Sequence, residues 1–254
     1  MEPVRNHRSR VVVEASRLHR ARDRRERGQT LIEGPHLLEE AIDAGADVRA
    51  VFTLPDDIDC QQVVRSIGLE PVVVDERALR RLAGTETPRG PIAVVGIPTD
   101  RKPESNNLLV SWGVSDPGNV GTMIRIAAAF DWDFGYTDGT ADPWSPKVLR
   151  AGAGTQFSVA ITSLRGVADL RSSGYSPVAT VVSGGAPPES LGHGRWAVLI
   201  GEEASGLPPE VVQSCDREIT IDMPGGAESL NAGVAAGILT YALSKHSGEP
   251  GERV

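Results

Sequence analysis

The sequence predicts an α/β protein in two parts, each built on a parallel or mixed sheet. Three observations carry that expectation. Short apolar runs alternate with helical patterns of about ten residues, the rhythm of strand–helix–strand units. The stretch Pro98–Asn107 (PTDRKPESNN) holds two prolines, mixed charges and no apolar residue, which marks a linker. The chain has 254 residues, 40% of them apolar, so it can bury two modest cores, and no apolar run approaches the ~20 residues of a membrane span.

Residues 1–27 read as a basic helical arm, with Val11, Val12, Ala15 and Leu18 forming one apolar stripe at three- and four-residue spacing. A small α/β domain is expected over residues 28–98. Its strands are Thr30–Glu33, Val48–Leu54, Pro71–Val74 and Pro91–Ile97, and its helices His36–Ala44, Asp59–Ile67 and Glu76–Ala83. Asp75 precedes the last of these helices, where its carboxylate can accept the free amides of the first turn. Residues 99–107 form the linker. A second domain, 108–246, alternates again. Strands are expected at Leu108–Val114, Phe134–Thr137, Phe157–Thr162, Val178–Val182, Trp196–Ile200 and Glu218–Ile221. Helices are expected over Val120–Phe130, Pro146–Ala153, Pro209–Cys215 and Leu230–Lys245, and residues 247–254 are a polar tail.

The net charge of −8 argues against nucleic acid until its distribution is read. Residues 1–27 carry nine arginines against four acids, a balance of +5, so the remaining body stands at −13. Such asymmetry suggests a polyanionic partner for the arm, although an arginine-rich helix is equally a solvated face. The polar N-terminus shows no secretory signal, and Cys60 and Cys215 give neither a disulfide framework nor a CxxC metal pattern. A cytoplasmic protein is expected, with no membrane partner and no metal.

Several chemistries lose their basis. There is no GxxxxGK[ST] phosphate loop, no GxGxxG after a strand and no GxSxG elbow. The five histidines are scattered, which removes HExxH and paired metal spacing. What remains is three strand-to-helix loops rich in glycine and polar residues: Ser115–Asn119, Gly201–Gly206 and Met223–Asn231. Ligands of doubly wound folds sit beyond the carboxyl ends of the strands, where such loops lie. Asn119 and either Ser229 or Asn231 could be helix N-caps, and Glu203 a solvated loop acid. Arg125 falls in an otherwise apolar helix and must pair with an acid, reach solvent or meet an anionic ligand.

Three ordered motifs give the chain a family likeness. Asn119-Val120-Gly121-Thr122-Met123-Ile124-Arg125 looks like Asn-x-Gly-x-x-x-Arg. Gly201-Glu202-Glu203-Ala204-Ser205-Gly206-Leu207 carries Gly-x-Glu. Ile221-Asp222-Met223 with Glu228-Ser229-Leu230-Asn231-Ala232-Gly233-Val234-Ala235 forms the third. Together they resemble the SpoU (TrmH) family of RNA ribose 2′-O-methyltransferases within the SPOUT class. Leu31-Ile32-Glu33-Gly34 and Thr85-Glu86-Thr87-Pro88-Arg89-Gly90 resemble the substrate-binding domain that precedes many such enzymes. The chain departs from the family pattern at Gly152, Asp222 and Glu202-Glu203-Ala204, which leaves the donor pocket and the RNA subtype open.

The resemblance implies a C-terminal SPOUT domain with a parallel sheet and a deep trefoil knot near residues 196–245, although knots are rare enough that sequence physics alone assumes none. It implies a homodimer that uses S-adenosylmethionine to methylate a ribose 2′-hydroxyl, in 23S rRNA first. A tRNA substrate, a catalytically silent ribosome-assembly factor, or a small-molecule α/β enzyme are the alternatives. The catalytic set implied is Arg125, Asn119, Glu203, Ser229 and Asn231. The donor-binding positions are Gly201, Ile221, Leu230, Ile200 and Met223. RNA contacts are expected from Arg17, Arg20, Arg24, Arg25, Arg89 and Arg150. Arginine stays protonated in proteins, so Arg125 is expected to clamp phosphate and stabilise the oxyanion, from its own chain or its partner's, rather than act as base.

Overall fold

A computed structural model describes residues 4–88, 90–99 and 101–246, so Arg89 and the tail 247–254 lie outside the described residues. The chain forms two compact units, Met1–Thr99 with Asp142–Phe157, and Asp100–Ala141 with Ser158–Val254.

The first unit opens with α1 (Arg10–Ser16), a 3-10 turn over Arg17–His19 and α2 (Ala21–Arg27). β1 (Gln29–Glu33), α3 (Pro35–Asp43), β2 (Val48–Thr53), α4 (Ile58–Ser66), β3 (Val72–Val73), α5 (Glu76–Leu82) and β4 (Ile92–Gly96) follow. The four strands pair in the order β1-β4-β2-β3. β4 runs antiparallel to both neighbours, and β2 and β3 are parallel. Asp75 caps α5 by accepting from Ala78 N–H at 2.7 Å, as its position predicted.

Residues 4–27 are not a detached arm. Val12, Ala15 and Leu18 are buried in the same cluster as Leu31, Phe52, Leu79, Leu82 and Ile92. Three of the four residues of the stripe read from the sequence join this core, while Val11 is exposed, and the backbone of Arg5 pairs with Val73 and Asp75. Arg24 goes inward too: it is 3% exposed, and its guanidinium donates to Asp142 and to the carbonyls of Leu18 and His19. The expectation that Arg24 contacts RNA is therefore corrected, because a guanidinium saturated by a carboxylate and two carbonyls is a structural tie.

The second unit contains β5 (Asn107–Ser111), α6 (Pro117–Ala129) and β6 (Asp133–Thr137). The chain then supplies α7 (Pro146–Ala151) to the first unit, where Thr30 Oγ1 donates to Trp144 O at 2.6 Å and Trp144 packs on Phe157. The stretch 142–157, inside the second expected domain, packs with β1 and α2. It returns to β7 (Ile161–Leu164), α8 (Val167–Ser172), β8 (Ser176–Thr180), β9 (Trp196–Ile200), α9 (Pro209–Gln213), β10 (Arg217–Ile219) and α10 (Ala232–His246). The strand expected at Phe157–Thr162 starts later, because Thr155–Phe157 forms a 3-10 turn in which Gln156 turns inward to bond Val148 O at 3.0 Å. The short helix α8 was not expected: its six residues bury only Val167 and Leu170, too little pattern to read.

All six strands of this sheet are parallel, in the order β10-β8-β9-β5-β6-β7. The chain leaves β5 towards β6 and β7, then crosses to build β8, β9 and β10 on the other side. The direction of winding therefore switches between β5 and β9, and the crevice beyond the carboxyl ends of those two strands is where such sheets take ligands. α10 lies close on α6, since a Cβ on Gly233 would stand 3.1 Å from Thr122 Cγ2 and one on Gly237 3.4 Å from Ile126 Cδ1.

Replacing Arg24 with Met leaves Asp142 without its counter-charge and takes a donor from the carbonyls of Leu18 and His19. The expected loss is about 2–4 kcal/mol of stability, read by chemical denaturation, and a variant within 0.5 kcal/mol of the parent would contradict the tie.

Candidate functional site

At the winding switch, the loop after β5 meets the loop after β9 and the start of α10. Asp116 caps α6 by accepting from Asn119 N–H at 2.8 Å, and Pro117 fills the first turn. The side-chain amide of Asn119 is thereby free of capping duty. It lies 8% exposed and donates through Nδ2 to Glu203 Oε1 at 2.6 Å. Asn231 Nδ2 donates to Asn119 Oδ1 at 2.9 Å and to the same Glu203 Oε1 at 2.6 Å. The backbone N–H of Ala232 adds a longer contact to that oxygen at 3.3 Å. Asn231 is also the cap of α10, accepting from Val234 N–H at 3.2 Å. The capping and site readings of Asn231 are both true, whereas for Asn119 the cap is its neighbour Asp116.

The loop after β9 is closed on itself. Glu202 and Gly206 form an antiparallel bridge, with Gly206 N–H donating to Glu202 O at 2.8 Å. Gly201 stands so near this closure that a Cβ there would sit 2.3 Å from Gly206 C and 2.5 Å from Leu207 N. Glu202, to which the sequence assigns no role, accepts from Ser205 Oγ at 2.9 Å and Ser115 Oγ at 3.3 Å.

Beside these loops lies a cleft of about 370 Å³. All five expected donor-binding residues, Ile200, Gly201, Ile221, Met223 and Leu230, line it, together with Glu203 and Ser229. Its wall is mostly aliphatic. Among the described residues, its ionisable groups are Glu202, Glu203 and Glu228, and no lysine, arginine or histidine lines it. Ser229 is exposed at the rim, and among the described residues no side-chain hydrogen bond joins it to Asn119, Glu203 or Asn231.

Arg125 is not brought into the cleft. It lies six residues beyond Asn119 on α6, about 240° around the helix, and is exposed. Of the three fates open to it, the chain alone provides solvent. Thr122, Arg125 and Ala129 form the open face of α6. On α10, Val234 (51% exposed), Ile238 (41%) and Tyr241 (50%) form an open apolar stripe at four- and three-residue spacing. Among the other expected contacts, Arg17 is exposed and pairs with Glu14, Arg20 and Arg25 are exposed, and Arg150 faces Glu33.

Burial pushes the thiols of Cys60 and Cys215 up to about 11, so neither is a thiolate at neutral pH. Among the described residues no three His, Cys, Asp or Glu side chains converge to hold a metal, and no helix is long and apolar enough to cross a membrane.

Comparison with known proteins bears on the same residues. Residues 106–241 match the SpoU rRNA Methylase family, and residues 10–93 match the MRM3-like substrate binding domain. The second match takes in α1 and α2, in keeping with their burial in the first unit. The chain is 30% identical to the Bacillus subtilis 23S rRNA (guanosine(2553)-2′-O)-methyltransferase RlmP, over 96% of this chain and 99% of that protein. Its fold is that of the SpoU methyltransferase AviRb from Streptomyces viridochromogenes, solved with AdoMet (TM-score 0.84, 24% identity, 94% and 98% of the two chains). It is also that of an AdoMet-bound rRNA methyltransferase from Sinorhizobium meliloti (TM-score 0.82, 24% identity, 96% and 98%).

A Gly201→Ala substitution forces the new methyl into backbone that cannot move aside. We expect a loss of about 2 kcal/mol or more, measured by equilibrium unfolding. A variant as stable as the parent would show that the loop closes differently.

Proposed function

The chain belongs to the SpoU rRNA methylase family, and from that premise we propose that it transfers the methyl group of S-adenosylmethionine to a ribose 2′-hydroxyl of 23S rRNA. The carrying observation is the hydrogen-bonded set Asn119, Glu203 and Asn231 beside an acid-lined aliphatic cleft at the winding switch. The Bacillus subtilis relative, matched end to end, is named for 23S rRNA, which favours that substrate over tRNA and over a silent assembly role. The reading implies action in the cytoplasm and the family's trefoil knot near residues 196–245.

The cleft suits the donor. Its size is that of a small-molecule site, its aliphatic wall fits an adenosine, and among the described residues no cation lines it beside its three carboxylates. When bound, S-adenosylmethionine supplies an electrophilic methyl on a cationic sulfur. The rest is the work of this chain. Gly201, with its neighbours Ile200, Ile221, Met223 and Leu230, forms the walls that hold the donor. Glu203 fixes the loop by gathering three N–H groups. Asn119, Asn231 and Ser229 orient the ribose by hydrogen bonds, converting a bimolecular step into a positioned one. The 2′-hydroxyl is a weak acid, so the charge developing on its oxygen needs a fixed cation. Arg125 has that role: it clamps the adjacent phosphate and stabilises the oxyanion while the proton leaves to water or phosphate.

Because Arg125 lies on the face of α6 away from its own cleft, the reading assigns it to the active site of a second copy. The open stripe Val234, Ile238 and Tyr241 on the adjoining helix is the apolar patch of that homodimer. Exposed Arg17, Arg20 and Arg25, together with Arg89, supply phosphate contacts.

The test uses full-length chains. Arg125→Ala retains donor binding and loses at least about 100-fold in methyl transfer. Mixed with an inactive Glu203→Ala chain it regains about one quarter of parental activity, because half of the two-fold dimers are mixed and each has one complete site. Transfer by Arg125→Ala near the parental rate would refute the role, and no recovery on mixing would place the arginine in its own chain's site.

A further inference from the structure

One charge in the first unit has no place in the reading above. Glu33 ends β1 with a side chain 8% exposed. Its Oε1 accepts from Thr85 Oγ1, and its Oε2 accepts from Gly84 N–H at 3.1 Å. Both donors belong to the turn after α5, and Gly84, Thr85, Glu86 and Thr87 are all exposed. A buried carboxylate thus holds an exposed turn from below at two points. Behind it stands Arg150 of α7, whose Nη1 lies 3.6 Å from Glu33 Oε2, is buried, and makes no hydrogen bond among the described residues. That separation is an ion pair and too long for a hydrogen bond. A Cβ on Gly84 would come within 3.0 Å of the same Nη1. Glycine at 84 is what lets arginine, carboxylate and turn share the space.

The chemistry gives the pair a direction. A buried carboxylate is costly without a counter-charge. The two hydrogen bonds from the turn offset part of this, and the guanidinium offsets more through charge, since its Nη1 makes no hydrogen bond among the described residues. Arg150 is therefore committed inward, towards Glu33, at 28% side-chain exposure. The turn lies within the residues that match a substrate-binding domain, and an exposed loop fixed by buried polar contacts is the usual form of a preorganised binding loop.

We infer that Glu33 and Arg150 are paired positioning residues for RNA: Glu33 holds the turn 84–87 in its docking shape, and Arg150 neutralises Glu33 rather than gripping the RNA. This rests on the proposed RNA substrate. It reassigns Arg150 from the contact expected of it, and gives roles to Glu33 and Thr85.

The experiment is a double-mutant cycle on the full chain. Affinities are measured for an unmodified 23S rRNA transcript and, separately, for S-adenosylmethionine, with thermal unfolding recorded for every variant. Glu33→Gln and Thr85→Val are each expected to weaken RNA binding about fivefold or more while leaving donor affinity unchanged. Arg150→Gln should cost a similar factor in the parent but less than about twofold once Glu33 is already Gln, the signature of groups that act through each other. An Arg150→Gln cost that is equally large in both backgrounds would show a direct RNA contact and overturn the inference. Lowered melting temperatures with unchanged RNA affinity would overturn it as well, by leaving the pair a merely structural role. A parental chain that binds the transcript without methylating it would refute the functional reading yet leave the cycle readable. One that binds no RNA refutes both.

Discussion

One carboxylate oxygen organises the second unit's chemistry. Glu203 Oε1 receives Asn119 Nδ2, Asn231 Nδ2 and the Ala232 amide. Those donors come from the start of α6 and the start of α10, 112 residues apart, and the acceptor from the loop after β9. Hydrogen bonds to an ionised acceptor are stronger than neutral ones, and several donors on one oxygen fix its direction as well as its position. The arrangement needs a division of labour upstream. Asp116 must cap α6 so that Asn119 can point its amide away from its own helix. Gly201 must lack a side chain so that the 201–206 loop can close and present the next acid but one. The parallel sheet supplies the rest, because only at a change of winding direction do the loops after two neighbouring strands part to leave a crevice.

The first unit shows the same economy with the opposite sign. Arg24 and Arg150 are both turned inward on carboxylates, Asp142 and Glu33. Each pair ties the segment 142–157 to β1 or its flanking helix. Thr30 adds a third link through Trp144 O. Three polar contacts at intervals of a few residues are a register device as much as a source of stability, since a shift of that segment would break all three together. The arginine count of the first 27 residues therefore overstates the cationic surface: at least one of those charges is spent inside.

Local pattern explains what was legible in the sequence. Period-two and period-3.6 runs located nearly every strand and helix, and Asp75 announced its own cap. The three site loops were visible because glycine and polar residues interrupt strongly apolar strands at Ser115, Gly201 and Met223. What could not be read was partnership at a distance. Arg24 sits in a basic run that looks solvated, and its acid lies 118 residues away. Phe157 looks like the start of a strand, but it closes a turn over 155–157 in which Gln156 bonds Val148 O. The stretch 142–157 carries α/β alternation like its neighbours, and nothing local says that it packs against β1. Periodicity reports that a face is buried; it does not report against what.

Arg125 is where these two lines of argument meet. In the sequence it was an anomaly, a cation in an apolar helix. In the fold it escapes desolvation cost by facing outward, but that leaves it off the cleft beside which Asn119, on the same helix, bonds Glu203. A cation surrounded by solvent polarises little, since water screens it. Its usefulness to an anionic transition state requires that something cover the α6 face and exclude that water. The neighbouring stripe of Val234, Ile238 and Tyr241 has the composition of a surface meant to be covered, and a closed two-fold contact would cover both copies with the same patch. Arg125 stands one helix away from that patch, and among the described residues the cleft itself carries no cation.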